Sequence, residues 1–71
     1  MSQVRAEMVG TIQTLSVVEG AEVGAGDTLL VLESMKMEIP VLAEAAGTVM
    51  SLPVAAGDVV QEGDVLVVLS P

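Results

Sequence analysis

The chain has 71 residues, of which ten are acidic and two basic, so its formal charge is −8. It contains no His, no Cys and no aromatic residue, which excludes a zinc site, an imidazole base, a thiol nucleophile and any disulfide. Arg5 and Lys36 are the only two cationic side chains, which is too few to neutralise the phosphate backbone of a nucleic acid. The chain also has no aromatic ring on which a nucleic-acid base could stack, so nucleic-acid binding is excluded.

No apolar run approaches the roughly 20 residues that a membrane-spanning helix needs. Residues 1–5 lead into no apolar segment of the signal-peptide kind. We therefore expect a cytoplasmic protein without a membrane partner, and residues 1–71 are expected to form a single domain.

Val-rich runs separated by glycines predict an all-β fold, because Val favours strands and no helical periodicity extends beyond about one turn. In chain order, the runs predict strands at 4–9, 11–18, 28–32, 41–45, 48–55 and 65–69. The Gly-rich segments between them predict turns. Asp27, Asp58 and Asp64 next to glycines also predict turns, because their spacing matches no calcium-binding motif, and no metal site is expected.

The two halves of the chain repeat each other. A shift of 37 residues aligns residues 4–32 with 41–69, and 14 of the 29 aligned positions are identical. Two such copies related by a pseudo-twofold axis predict about eight short strands in a flattened barrel or sandwich, because a small sheet must limit its exposed edges.

Residues 33–40 join the two copies and contain the only lysine of the chain, Lys36. The chain must reverse direction between Ser34 and Met37, although the tip, Met35-Lys36, contains none of the residues that tight hairpins prefer. Local rules are most often broken at functional sites. Under the pseudo-twofold, Lys36 is expected at the end of the molecule opposite the chain termini.

The surroundings of Lys36 argue against catalysis by this residue. Glu33 and Glu38 flank it, and an acidic environment favours the protonated ammonium, which is a poor nucleophile. The sequence therefore indicates a lysine that another protein modifies, and no catalytic residue is expected in the chain.

The segment Glu33-Ser34-Met35-Lys36-Met37-Glu38 resembles the biotin attachment motif, whose core is Met-Lys-Met. From Arg5 to Leu69 the chain is similar to the free-standing biotin/lipoyl attachment proteins related to biotin carboxyl carrier protein. The resemblance implies a barrel-sandwich hybrid of two four-stranded antiparallel sheets, with the lysine on an exposed hairpin.

The resemblance also implies a function as a non-catalytic biotin carrier. A biotin protein ligase would attach biotin covalently to Lys36, with Met35 and Met37 as the flanking motif. Glu33 and Ser34 would contribute to recognition by the ligase. A biotin carboxylase subunit would then load the biotin with a carboxyl group, and a carboxyltransferase subunit would pass that group to an acceptor, typically an acyl-CoA.

Three alternatives remain open at this point. The chain could be a lipoyl carrier of the same fold, although lipoyl domains have Asp-Lys-Ala where this chain has Met35-Lys36-Met37. It could be a small unmodified interaction module with an ordinary solvated lysine at the turn. Met35 and Met37 could also be core residues, because Met fills irregular gaps in hydrophobic cores.

Overall fold

A computed structural model describes residues 1–71 as eight β-strands without a helix. It therefore contains no helix that is long and apolar enough to cross a membrane. The strands are β1 (Ser2–Arg5), β2 (Gly10–Leu15), β3 (Glu22–Val23), β4 (Thr28–Ser34), β5 (Met37–Leu42), β6 (Gly47–Ser51), β7 (Val59–Val60) and β8 (Val65–Ser70).

The strands form two four-stranded antiparallel sheets, with the orders β1-β8-β6-β3 and β5-β4-β2-β7. A shift of 37 residues places β1 on β5, β2 on β6, β3 on β7 and β4 on β8, so each sheet is the pseudo-twofold counterpart of the other. The prediction of an all-β fold with two such sheets is confirmed. The sheets pack as a sandwich and do not close into a barrel, because no strand pairing connects one sheet to the other.

The strand limits differ from the predicted ones at several places. The first strand of each copy ends at Arg5 or Leu42, because the next residue, Ala6 or Ala43, is buried and donates its N–H to a turn carbonyl at 2.8 Å. The strands β3 and β7 lie in segments that the sequence indicates only as turns. Each has two residues, which is too short for an alternating pattern to be recognised.

The hydrophobic core lies between the two sheets and consists of twelve buried residues. They form six pairs that the 37-residue repeat relates: Ala6/Ala43, Ile12/Val49, Val23/Val60, Leu29/Leu66, Leu30/Val67 and Leu32/Leu69. Every buried apolar side chain therefore has its repeat counterpart in the same core, and the pseudo-twofold axis passes through it.

The acidic residues near glycines form turns, as predicted. The Asp27 carboxylate accepts a hydrogen bond from the Gly24 N–H at 2.8 Å, and its repeat counterpart Asp64 accepts one from the Gln61 N–H at 2.8 Å. Asp58 binds the Ala55 N–H in the same way at 2.9 Å. These side chains satisfy backbone donors that no strand partner reaches.

Gly47 is required by a close approach between β6 and β8. A Cβ atom at this position would lie 2.1 Å from the Ser70 carbonyl oxygen, whereas one at Gly24 would come no closer than 3.7 Å to Asp27.

We expect Gly47→Ala to lower the free energy of unfolding by about 2 kcal/mol through overpacking. Gly24→Ala should change it by less than about 0.5 kcal/mol. Urea denaturation of both variants checks this, and equal effects would contradict the packing argument.

Candidate attachment site

Lys36 occupies the second position of a two-residue hairpin loop. Ser34 pairs with Met37, so only Met35 and Lys36 connect β4 to β5. Their φ angles are 53° and 65°, and they are the only residues other than glycine with positive φ. A two-residue loop with both φ angles positive is a type I′ turn, for which Asn-Gly is the preferred sequence. Met35 and Lys36 therefore adopt the left-handed conformation that the turn requires, although neither residue favours it. This conformation costs about 1–2 kcal/mol of free energy per residue.

The side chains of the tip extend into solvent. Met35 is 89% exposed and Met37 57% exposed, and Lys36 is also exposed. The alternative that the two methionines fill the core is therefore wrong. The side-chain hydrogen bonds of the hairpin are made by Ser34 and Glu38, and none involves the Lys36 ammonium group. The amine is open to approach by another protein.

Two hydrogen bonds fix the hairpin just below its tip. The Ser34 hydroxyl donates to the Val9 carbonyl oxygen at 2.9 Å. Gln13 lies at an irregularity in the pairing of β2 with β4, and its amide donates to the Glu38 carboxylate at 3.0 Å. Bulges of this kind redirect a side chain. The strands below the turn are therefore held in place while the turn itself remains exposed.

Two carboxylates lie opposite each other below the lysine. Glu33 on β4 is the direct cross-strand partner of Glu38 on β5, and both are exposed. Like charges in directly opposed positions destabilise a sheet. The hairpin thus combines an unfavourable charge pair with an unfavourable turn, immediately beside the single lysine of the chain.

The structure also brings the β1–β2 loop to the tip, a contact that no pattern in the sequence predicts. Met8 and Val9 of this loop are 37% and 54% exposed. Together with Met35 and Lys36 they line an open depression of about 600 Å³. The alignment of the two copies distinguishes this loop, because Met8-Val9 in the first copy correspond to the smaller residues Ala45-Ala46 in the second.

Lys36 and the chain termini lie at opposite ends of the β4–β5 ladder. Ser34 and Met37 close this ladder at the lysine end, and Thr28 pairs with Leu42 at the other end. Leu42 lines a groove of about 560 Å³ together with Met1 and Pro71. The placement expected from the pseudo-twofold agrees with this geometry.

No group of three or more acidic side chains is arranged to hold a metal ion. The site is therefore described by its accessible amine, its two exposed methionines, its acidic flanks and the adjacent depression. The Lys36 amine is suited to carry a group that is attached through a carboxyl carbon, because an exposed primary amine forms an amide once it is deprotonated.

Residues 2–69 match the model of a protein family described as "Biotin-requiring enzyme". The chain is similar to a curated protein of Mycolicibacterium smegmatis named "Biotinylated protein TB7.3 homolog", with 62% identity over 39 residues. This alignment covers 55% of each protein, so the chain spans about half the length of the curated relatives that it matches.

Two large solved structures contain a similar fold. A single-chain, multi-domain long-chain acyl-CoA carboxylase matches with a TM-score of 0.88 and 38% identity, over 93% of this chain and 6% of that enzyme. The urea carboxylase of Kluyveromyces lactis matches with a TM-score of 0.90 and 30% identity, over 97% of this chain and 6% of that enzyme. In both, the similar region is a small part of a much longer chain.

The strain of the turn predicts how two variants of Lys36 differ. Lys36→Gly removes the Cβ that opposes a left-handed conformation, so we expect it to raise the free energy of unfolding by about 1 kcal/mol. Lys36→Ala loses the same charge but retains a Cβ, and should remain within about 0.5 kcal/mol of the parent protein. Thermal and urea denaturation measure the difference. A gain of equal size in both variants would attribute it to charge and not to the backbone.

Proposed function

The chain belongs to the biotin/lipoyl attachment family of biotin-requiring enzymes, and on this basis we propose that biotin is attached covalently to Lys36. The observation that carries the proposal is the position of the only lysine, at the exposed second position of the turn that joins the two repeats. The curated relative named a biotinylated protein supports biotin as the attached group.

The attachment reaction requires a second protein. The Lys36 Nζ would attack the carboxyl carbon of biotin that a biotin protein ligase has activated as an adenylate. An amide bond forms, AMP leaves and the amine loses a proton. An ammonium group cannot attack a carbonyl carbon, so we assign to the ligase the base that accepts this proton.

The exposed residues beside Lys36 are suited to contact the ligase. Met35 and Met37 present apolar surface on either side of the amine, and Glu33 presents a carboxylate. Ser34 is half-buried, and its hydroxyl is bonded to the β1–β2 loop. We therefore assign Ser34 a positioning role below the turn, whereas the other three residues would touch the ligase directly.

As a carrier, the domain would move its biotin between two active sites in the cytoplasm. When attached, biotin supplies a ureido nitrogen that accepts a carboxyl group and later releases it. The similar carboxylase structures support a biotin carboxylase and a carboxyltransferase as partners. The contribution of this chain is the tether, because a short flexible link raises the effective concentration of the group at each site to about the millimolar range. Its own residues would bind partners and position the lysine, while the partners supply the catalytic groups.

Modification by a ligase should be confined to one side chain. Incubation with biotin protein ligase, ATP and biotin should add one biotinyl group to the parent chain, as measured by intact mass and a streptavidin blot. Lys36→Arg should abolish the addition while keeping the positive charge.

The matched control places a lysine elsewhere. The double variant Arg5→Lys/Lys36→Arg keeps one lysine and the same net charge, but Arg5 lies on β1 and not at a turn. It should remain unmodified. Biotin on this double variant at the rate of the parent chain would mean that the hairpin does not direct the ligase.

The methionines beside the lysine should select biotin over lipoate. Lipoyl domains have Asp and Ala at these positions, so Met35→Asp/Met37→Ala should lower the rate of biotinylation and allow addition of a lipoyl group by a lipoate ligase. Met50→Asp changes a methionine on β6 whose exposure is close to that of Met37, and it should alter neither rate. Intact mass after parallel reactions gives both rates. Unchanged selectivity in the double variant would remove Met35 and Met37 from the recognition site.

A further inference from the structure

We propose that the biotinyl group on Lys36 docks reversibly on the carrier itself, in the depression between the hairpin and the β1–β2 loop. The inference rests on the proposed attachment at Lys36. The depression has a volume of about 600 Å³ and is lined by Lys36 itself, so the attached group begins at its rim. The depression is shallow and open to solvent, so it would cover only one side of a bound group.

The repeat shows that this end of the molecule carries additional apolar side chains. Met8 and Val9 correspond to Ala45 and Ala46, which occupy the equivalent loop near the chain termini. The two loops have the same place in the pseudo-twofold fold, so folding alone permits alanine at both positions. The larger side chains occur only beside the lysine. Exposed apolar side chains that the fold does not require indicate a contact surface.

The loop is part of the folded scaffold and does not depend on a ligand for its position. The Ser34 hydroxyl donates to the Val9 carbonyl oxygen at 2.9 Å, which links the loop to the hairpin. Gly10 follows the loop and is buried against β4, where a Cβ would lie 2.8 Å from the Glu33 carbonyl oxygen. A surface fixed in this way loses little conformational freedom when a ligand binds.

The lining groups suit the chemistry of biotin. Met8, Val9 and Met35 offer apolar contacts to its hydrocarbon arm and sulfur-containing ring. Its ureido group carries two N–H donors, for which the depression provides acceptors in the Glu33 carboxylate and the Thr11 hydroxyl. These two residues are direct partners in the pairing of β2 with β4, so their side chains share one face of the sheet.

Because the biotinyl group is tethered to the protein, weak contacts are sufficient to keep it in the depression for part of the time. A short link holds the biotinyl group at an effective concentration of about the millimolar range, so a site with a dissociation constant in the same range is filled for a large part of the time. Such a site would leave the group available to partners, because release requires no large change in the protein.

The first test uses biotinylated protein whose methionine methyl groups carry ¹³C. Intact mass first establishes that one biotin is bound to each chain. Biotinylation should then shift the Met8 methyl resonance and produce nuclear Overhauser effects between Met8 and the biotin ring protons. Met8 is the decisive probe because it lies on a different loop from Lys36, whereas Met35 is its neighbour in sequence. Met50 on β6 is the internal control and should not shift.

The second test measures how quickly streptavidin captures the attached biotin. Only undocked biotin can react, so a dock filled three-quarters of the time slows capture about fourfold. Met8→Ala/Val9→Ala copies the loop sequence of the other repeat and should speed capture by about that factor. Ala45→Met/Ala46→Val makes the reverse exchange at the equivalent loop of the other repeat and should leave the rate unchanged.

The outcomes separate the two proposals. A chain that acquires no biotin contradicts the attachment at Lys36, and the dock with it. Complete biotinylation without a Met8 shift, and with equal capture rates for the parent chain and Met8→Ala/Val9→Ala, overturns the dock alone. A Met8 shift together with faster capture by that variant supports it.

Discussion

The burial of six repeat-related pairs of side chains between two sheets is the constraint on which the rest of the structure depends. The domain has no cysteine and therefore no disulfide, so apolar burial, at about 1.5–3 kcal/mol for each large side chain, must supply most of its stability. Half of the core comes from two strands, with Leu29, Leu30 and Leu32 on β4 and their counterparts on β8. Neither repeat can bury its own apolar face alone.

This shared core explains why an unfavourable hairpin is tolerated at the lysine. The β4 strand is hydrogen-bonded on both sides, by β2 and by β5, and its three leucines are almost fully buried. It therefore determines where the chain must turn, whatever residues stand there. Two features of the hairpin lower the stability of the fold. Met35 and Lys36 adopt left-handed conformations, and the carboxylates of Glu33 and Glu38 lie opposite each other. The packing of the core below the hairpin offsets these unfavourable free energies.

The sequence predicts those features that the repeat or a buried pattern specifies. The 37-residue repeat predicts the strand correspondence, the turn aspartates and the position of Lys36 opposite the termini. It does not predict the two-residue strands β3 and β7, because they are held by neighbours distant in sequence. Pairing register cannot be derived from the order of residues along the chain. Two features that depend on it are therefore not predicted: the direction of the Gln13 side chain, and the approach of Met8 and Val9 to the hairpin. The two sheets remain separate for a similar reason, since sheet closure depends on how the edge strands meet in space.

The separation of the lysine hairpin from the chain termini gives the domain a polarity. One end of the β4–β5 ladder presents the amine, and the other lies beside both the first and the last residue. A protein fused to either terminus would therefore extend away from an enzyme that encloses the hairpin. The fold can be inserted in, or appended to, a larger polypeptide without covering the hairpin that carries Lys36.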